Sequence, residues 1–493
     1  MSSSTVRARA FVPVLLFLGG VVSIVSSLGA PLIPRLAQQL HVGISEAQWA
    51  LTATLVVAAV ASPFVGRLGD GRHRKRVIVT CLALVVAGGA LAATATALAP
   101  LIVGRALQGL GLALMPLTMA AAREHLPKAH AGRVIASLSV VGAAGVGLGY
   151  PITGFIADHG GVAAAYWFGT ALCAVALAAA VWAVPQPAHV PERRHLDWPG
   201  AVLIGIGLVA LLVGLEKASD WGWGSGRVLG LLVAGVAFGT IWVWHERRTA
   251  EPLVDLRLAR HRAVLTANIS GLLLGVSMYL SMVVLTQVVQ LPGVGMGESV
   301  FVAGLTLVPL SIFSSSVSRL LPALQRRIGM RAVLPLGATV VAIGIAFFAL
   351  TGTALWQAFV TMGILGIGLG LTFAAMPGLI VGAVPPEETG SAMGFYQVSR
   401  FVGFAFGSGL ALTLIHAFAG GVDAAPTLDA YRHTALVGAG AGLLTAVLAW
   451  WLPGHGAATA LERRPAPALL DLEVREAELG AAGLEDAAPA LSR

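Results

Sequence analysis

The stretch Gly66-Arg-Leu-Gly-Asp70-Gly-Arg-His-Arg74-Lys75-Arg-Val-Ile78 has one acidic side chain among five basic ones. An apolar run lies on each side of it, at roughly 49–66 and 77–98. Because a membrane-spanning helix needs about twenty apolar residues, this stretch is predicted to be a tight turn between two spans. Its bases place the turn in the cytoplasm, since cytoplasmic loops carry an excess of Lys and Arg.

The composition of the whole chain also indicates a membrane protein. Of its 493 residues, 57% are hydrophobic and 11% are charged, whereas charged residues make up about a quarter of soluble domains. The net charge of +8 would suit a nucleic-acid binder only if the bases gathered on one face, but they are spread through the loops. Cys81 and Cys173 lie in separate apolar runs without metal-ligand spacing, so neither a metal nor a cofactor is expected.

Apolar runs between charges and turn residues predict an all-α polytopic protein with fourteen spans, arranged as six, two and six. We expect a six-helix bundle in residues 1–184, a linker with two inserted spans in 185–262, a second six-helix bundle in 263–452 and a disordered cytoplasmic tail in 453–493. The predicted spans are 11–34, 49–66, 77–98, 101–122, 134–157, 164–184, 199–217, 227–245, 263–288, 299–321, 332–351, 354–377, 391–417 and 434–452.

The distribution of Lys and Arg predicts the orientation of these spans. With a cytoplasmic start, 25 of them fall on the cytoplasmic side and four on the outer side, so both termini are predicted to be cytoplasmic. Arg7 and Arg9 before the first run could instead belong to a secretory signal peptide. The run continues through Pro31 and Pro34 without a small-residue cleavage site, which favours a first span.

Glycines repeat between the two halves at a fixed offset. Gly145 and Gly149 reappear 258 positions later as Gly403 and Gly407, and Gly132 reappears as Gly390. Internal repeats of this kind are typical of transporters.

The charged turn resembles the signature loop of the major facilitator superfamily, although Gly71 and His73 depart from the family pattern. A plain positive-inside loop would explain the bases but not the acid at that spacing. The resemblance implies that Asp70 acts as a latch against the start of span thirteen, with Glu124 in the same charge network. The matching positions are Gly66, Leu68, Asp70, Arg74, Lys75 and Ile78.

Span four contains Arg105 followed by Gln108-Gly109-Leu-Gly111, which is similar to the second motif of the superfamily. Arginine in hydrocarbon costs at least about 2.5–3.5 kcal/mol and normally faces a bundle interior. The resemblance implies a part for Arg105 and Gln108 in proton coupling. The alternative is an arginine that snorkels to the interface near Pro100.

Span five resembles the antiporter motif of drug exporters. Small residues let helices approach closely, and a proline bends the span. Tyr150 stands where that motif usually has glycine, and plain close packing is the alternative interpretation. The motif positions are Gly145, Gly149, Tyr150, Pro151 and Gly154.

The two inserted spans indicate the subfamily. Asp197-Trp198-Pro199-Gly200 precedes one of them and His245-Glu246 ends the other. Together with the six-two-six order, they resemble the fourteen-span drug:proton antiporters. That subfamily often carries an aspartate in span one, where this chain has Val21.

The coupling group is therefore open, because no acid lies near the centre of a predicted span. Candidates are Asp70, Glu124, Arg105 and His416, the last being the one histidine predicted within a span, although a hydrogen-bonded interface residue is the commoner role there. Arg400 either neutralises an anionic substrate or packs a helix through backbone carbonyls. The candidate lining of the substrate cavity comprises Asn268, Met278, Tyr279, Met282, Gln287, Tyr396, Gln397, Arg400 and Phe401.

These features predict a monomeric secondary exporter of hydrophobic or amphipathic small molecules, exchanged for protons across the cell membrane. The partners are the substrate, protons and the lipid bilayer, and no nucleic acid or enzyme activity is expected. An uptake or facilitated-diffusion carrier, or a membrane sensor with the same fold, are the alternatives.

Overall fold

The computed structural model describes residues 3–26, 28, 32–47, 49–69, 73–186, 197–385, 388–420 and 426–452. This described part contains helices and no strand. In chain order they are α1 (Ser3–Ser26), α2 (Ile33–Leu40), α3 (Ile44–Ala47), α4 (Trp49–Gly69), α5 (Arg74–Ala93), α6 (Leu98–Leu112), α7 (Leu114–His125), α8 (Lys128–Ala183), α9 (Trp198–Trp221), α10 (Gly226–Glu246), α11 (Leu256–Ala259), α12 (Arg262–Gln290), α13 (Val300–Leu305), α14 (Val308–Thr351), α15 (Leu355–Ala383), α16 (Thr389–Ala419) and α17 (Leu428–Trp451).

The predicted fold class, an all-α polytopic membrane protein, is confirmed. Twelve helices in the described ranges are long and apolar enough to cross a membrane, and a shorter apolar helix covers Ala10–Val25. The number of fourteen spans stays a prediction. The predicted tail, 453–493, lies outside the described residues.

Two long helices are broken at glycines where the sequence predicts boundaries between spans. Gly161 interrupts α8 with φ 79°, and Gly329 interrupts α14 with φ 77°. Positive φ costs glycine nothing, whereas a side chain there would be strained. Each break therefore divides a helix into two segments that can run in different directions.

The first and fourth predicted spans differ in detail from the helices observed. α1 ends at Ser26 instead of continuing to residue 34, and Pro34 lies in the first turn of α2, where its missing N–H is not needed. The predicted span 101–122 corresponds to α6 and α7, which meet at Ala113.

Glycines bring the helices of both halves together in the same way. A methyl group added at Gly145 of α8 would lie 2.5 Å from the Ser23 side chain of α1. One added at its counterpart Gly403 of α16 would collide with the Leu272 carbonyl oxygen of α12. Small residues allow this close approach of backbones in membrane bundles, so the repeated glycines correspond to repeated helix contacts.

The inserted helices α9 and α10 pack on each other, and α9 also packs against α4 and α16. Asp197 caps α9 by accepting a hydrogen bond from the Gly200 amide, and Ser225 caps α10 in the same manner. His245 lies 2.9 Å from an oxygen of Asp197, which ties the end of α10 to the start of α9. Their apolar side chains share a core with α4 and α16, made by Ala58, Ala59, Ile204, Leu208, Leu212, Trp242, Phe401 and Phe404.

Candidate functional site

A cavity lies between helices from both halves of the chain. It has a volume of about 100 Å³, equal to a few water molecules at about 30 Å³ each. Drug-sized ligands occupy pockets of about 300–1000 Å³, so the helices must separate further to admit one. The lining is Val22, Ser23, Leu51, Thr54, Leu55, Leu112, Met115, Met119, Gly142, Tyr150, Met278, Tyr279, Met282, Phe373, Pro377, Tyr396, Gln397, Arg400, Phe401 and Phe404.

The chemistry of this lining is apolar and aromatic with a single formal charge. Arg400 is the one charged side chain among the described residues of the lining, which contains no aspartate or glutamate. Glu216 of α9 lies outside the lining, and its carboxylate is 3.5 Å from the Thr52 hydroxyl. Once the helices separate, this lining can surround a flat apolar molecule and offers it one cation.

Most of the residues predicted to form the cavity are in its lining, and two are not. Asn268 is buried in α12 ten residues before Met278, which is about 15 Å along a helix. Gln287, near the other end of α12, accepts a hydrogen bond of 3.0 Å from the Tyr431 hydroxyl of α17. Both residues therefore lie on α12 away from the cavity lining.

Several lining residues carry no signal in the sequence. Phe373 of α15 and Phe404 of α16 pack beside Arg400, but a phenylalanine in an apolar span has the same pattern whether it faces lipid or a cavity. Ser23 and Thr54 bond to carbonyls of their own helices, as polar residues in lipid-facing positions also do. Only the arrangement of the helices distinguishes these residues.

Arg400 is held by aromatic rings and one glutamine. Its guanidinium carbon lies 4.2 Å from the centre of the Phe373 ring and 5.4 Å from that of Phe404. The Tyr396 ring is 5.7 Å away, and Nη1 donates a hydrogen bond of 2.9 Å to Gln397. Within the described part of the chain, Nε is buried without a hydrogen-bond partner.

Arg105 is enclosed in the first half of the chain. Its side chain is fully buried, which excludes the snorkelling alternative. Nε donates to the Ala50 carbonyl at 3.3 Å and Nη1 to the Val25 carbonyl at 3.4 Å. Nη1 also donates to Gln108 at 2.6 Å, so α6 is linked to α1 and α4 through one guanidinium.

The antiporter-motif residues lie along α8 and differ in the parts of the structure that they contact. Gly145 packs closely on α1, Tyr150 lines the cavity, and Pro151 lies 3.6 Å from the position of a methyl group added at Gly304. Gly149 is buried, and Gly154 has open space around it. The motif therefore contributes both a helix contact and part of the cavity wall.

The signature-loop residues form an ion pair at the predicted cytoplasmic end. Arg74, the first residue of α5, bonds to Glu124 of α7 and donates through Nε to the Gly69 carbonyl at 2.6 Å. Leu68 in α4 and Lys75 in α5 are half-buried. Asp70, the predicted latch, lies outside the described residues.

The contact between halves at this end is made by two arginines that the sequence did not single out. Arg67 of α4 pairs with Glu388 before α16 at 2.9 Å, with both side chains largely buried. Arg123 of α7 donates to the Val384 carbonyl at 2.9 Å and to the Thr389 hydroxyl. The sequence predicted that Asp70 would contact this segment. It has many basic residues in its cytoplasmic loops, and their pattern does not indicate which ones contact the other half.

Backbone contact reinforces these arginines. A methyl group at Gly66 would collide with the Gly390 carbonyl, and one at Gly394 would lie 2.5 Å from the Ser62 carbonyl oxygen. α4 and α16 therefore touch along their backbones at this end. His416 is half-buried near the other end of α16, outside the cavity lining.

Comparison with known proteins agrees with this architecture. The sequence profile of the Major Facilitator Superfamily matches residues 15–408 and 324–481. The chain is 28% identical over 420 residues to the tetracenomycin C resistance and export protein of Streptomyces glaucescens, covering 82% of this chain and 76% of that protein. It is 27% identical over 394 residues to the putative multidrug resistance protein MdtD of Serratia proteamaculans, covering 78% and 81%.

A solved structure shares the fold at low sequence identity. The human organic anion transporter MFSD10 superposes with a TM-score of 0.61 and 17% identity, covering 90% of this chain and 99% of that one. Together with the profile match over most of the sequence, these findings show that the chain belongs to the Major Facilitator Superfamily and is a multi-pass membrane transporter rather than an enzyme.

Proposed function

We propose that this transporter exports hydrophobic or amphipathic small molecules from the cytoplasm in exchange for protons. The observation that carries the proposal is the apolar cavity between the two halves, with α4, α7 and α16 in contact at its predicted cytoplasmic end. Alternating access needs such a central site and contacts that can open on one side. The names of the relatives, an antibiotic export protein and a multidrug resistance protein, support export.

Proton coupling is the finer part of the proposal, and Arg105 is its main candidate. The arginine is buried beside Gln108 and the Tyr166 ring, at 5.9 Å from the ring centre. A positive charge in a low-dielectric site strongly biases the protonation of groups around it. The Arg74–Glu124 pair and Arg67–Glu388 would then transmit the change by holding or releasing the cytoplasmic contact.

The proposed topology has fourteen spans, with both termini in the cytoplasm and a monomer in the cell membrane. The breaks at Gly161 and Gly329 support it, because each divides one long helix into two spans. The apolar helix at Ala10–Val25 would be the first span. The domain limits 1–184, 185–262, 263–452 and 453–493 belong to the same proposal.

The test measures dye efflux from cells that express the protein, before and after the proton gradient is collapsed. We expect efflux to stop on collapse and in Arg105→Ala. Arg248→Gln is the matched control, since it removes an arginine that stacks on Trp244 on the exposed side of α10, with 4.1 Å from the guanidinium carbon to the ring centre. Efflux that persists without the gradient contradicts proton exchange and favours a facilitated-diffusion carrier.

Direction is tested separately with inside-out and right-side-out vesicles. If the substrate accumulates only in right-side-out vesicles, the protein works in uptake. That result contradicts export and favours a metabolite carrier. Deleting residues 456–493 tests the sensor alternative, because a sensor would lose its signalling while transport stayed intact.

A further inference from the structure

We infer that the substrates of this cavity are amphipathic anions with an aromatic body, and that Arg400 binds their negative group. The inference rests on the proposed function, since it names the substrate class of the same cavity. It goes further because exporters of amphipathic molecules as a class include neutral and cationic substrates.

The charge balance of the cavity supports an anion. Arg400 is the one charged side chain among the described lining residues. No carboxylate pairs with it in the described part of the chain, where its hydrogen bond goes to the neutral Gln397. A cation in this position repels cationic ligands and attracts anionic ones, and the low dielectric of the surroundings strengthens both effects.

The hydrogen-bonding state of Arg400 supports a ligand that supplies acceptors. Among the described residues Nε has no partner although it is buried, and buried donors are normally satisfied. The planar guanidinium can bind a carboxylate or sulfonate through two parallel hydrogen bonds. Helix packing through backbone carbonyls, the alternative for this residue, is seen at Arg105, whereas the hydrogen bond of Arg400 goes to a side chain of its own helix.

The rings around Arg400 support an aromatic body. Phe373, Tyr396 and Phe404 place their faces toward the guanidinium, and Tyr279 stacks on Phe404 with ring centres 4.5 Å apart. A flat ring beside the arginine would continue this stack. Met278 and Met282 lie on the same wall, and their flexible side chains can adapt to different ring systems.

The test uses three probes with the same ring system and different charges: 2-naphthoate, 2-naphthylmethanol and 2-naphthylmethylammonium. Their binding to the purified full-length protein is measured by equilibrium titration at neutral pH. We expect naphthoate to bind about tenfold more tightly than the alcohol, as one hydrogen-bonded charge contact provides, and the ammonium probe to bind most weakly.

The variant Arg400→Gln should bring naphthoate and alcohol to within about twofold, because only the anion loses a contact. Arg400→Lys keeps the charge but not the planar fork, so it should retain part of the preference. Arg248→Gln removes a stacked arginine outside the cavity and should leave the wild-type ratio. If Arg400→Gln does not fold, the order of probe affinities in the wild type and the ratio of naphthoate to alcohol binding in Arg400→Lys test the inference.

Binding of the alcohol or ammonium probe as tight as that of naphthoate overturns the inference. So does a naphthoate preference that survives in Arg400→Gln, or a folded wild type that binds no naphthoate. Transport of the same probes in proteoliposomes is measured in parallel. If naphthoate binds more tightly than the alcohol but no probe is transported, the proposed export is contradicted and the anion site is not. If the probes are transported but naphthoate binds no more tightly than the alcohol, the anion site is contradicted and export is not.

Discussion

Arg105 and Arg400 are two arginines within membrane-spanning helices, and each bonds to a glutamine three residues away along its helix. Arg105 is fully buried and donates to backbone carbonyls of Ala50 and Val25 on neighbouring helices. Arg400 is half-buried against aromatic rings and lines the cavity. The same side chain is thus fixed between helices at one site and lines a cavity at the other.

The difference follows from what surrounds each arginine. Backbone carbonyls accept from Nε and Nη1 of Arg105, so its charge joins the helices that supply them, while Nη2 is buried without a hydrogen-bond partner among the described residues. Aromatic faces stabilise a cation without consuming its hydrogen bonds, so the donors stay available. We therefore expect changes at Arg105 to affect every substrate, and changes at Arg400 to affect anions.

The largest effect is expected from Arg105→Ala. The change removes a buried charged donor and leaves the carbonyls of Ala50 and Val25 without it, so we expect a loss of about 2–4 kcal/mol in the free energy of unfolding. Transport of all three naphthalene probes should fall together. Arg400→Ala should cost about 1 kcal/mol or less, because its ring contacts are individually weak.

Thermal unfolding of both variants in detergent measures this contrast, alongside transport in proteoliposomes. Arg105→Lys checks whether charge alone suffices, and it should recover stability only in part, since one ammonium cannot reach the same set of acceptors. Equal destabilisation by the two alanine variants would show that Arg400 joins helices as Arg105 does.

The sequence identified the fold and both arginines, because these have local signals. Long apolar runs, the basic loops and the glycine pattern each identify a span or a boundary without reference to distant residues. The breaks at Gly161 and Gly329 fall between predicted spans for this reason. Arg105 and Arg400 stand out because arginine is rare in apolar helices.

The contacts between helices could not be read in the same way. Arg67 and Arg123 are two of many cytoplasmic bases, and only their positions on α4 and α7 bring them to Glu388 and Thr389. Asn268 and Gln287 were expected in the cavity because polar groups in spans are often functional. Helix α12 has 29 residues, and Asn268 and Gln287 lie on it beyond the two ends of the cavity. A sequence pattern does not give the depth of the cavity along the helix.

An intermediate effect is expected from two glycines, one near each arginine. A methyl group at Gly109 would collide with the Thr54 carbonyl on α4, and backbone cannot move aside cheaply, so Gly109→Ala should cost about 1–3 kcal/mol. At Gly271 the methyl group would meet the Tyr396 ring at 2.8 Å and Arg400 at 3.2 Å. These atoms belong to side chains, but the Tyr396 ring is buried and can shift only slightly, so Gly271→Ala should cost about 1–2 kcal/mol and reduce mainly naphthoate binding.

Unfolding and probe titration of both variants separate these outcomes, with Gly440→Ala as the control, since it has open space around it. A general loss of transport in Gly271→Ala, with all probes affected alike, would contradict the division between a structural and a ligand-binding arginine.

The smallest effect is expected from Phe373→Leu. The Arg400 guanidinium carbon lies 4.2 Å from the centre of the Phe373 ring, and leucine keeps an apolar side chain there without a ring. One cation–π contact stabilises the position of a cation by about 0.5–1 kcal/mol. Without it, the Arg400 side chain should occupy more orientations. We expect naphthoate binding to weaken about two- to fivefold, while alcohol binding changes less. Phe347→Leu is the control, because Phe347 packs on Trp356 instead, with ring centres 6.5 Å apart. If Phe373→Leu weakens the binding of naphthoate and alcohol equally, the Phe373 ring contacts the ligand directly and does not act by orienting Arg400. The preference for the anion would then come from the guanidinium alone.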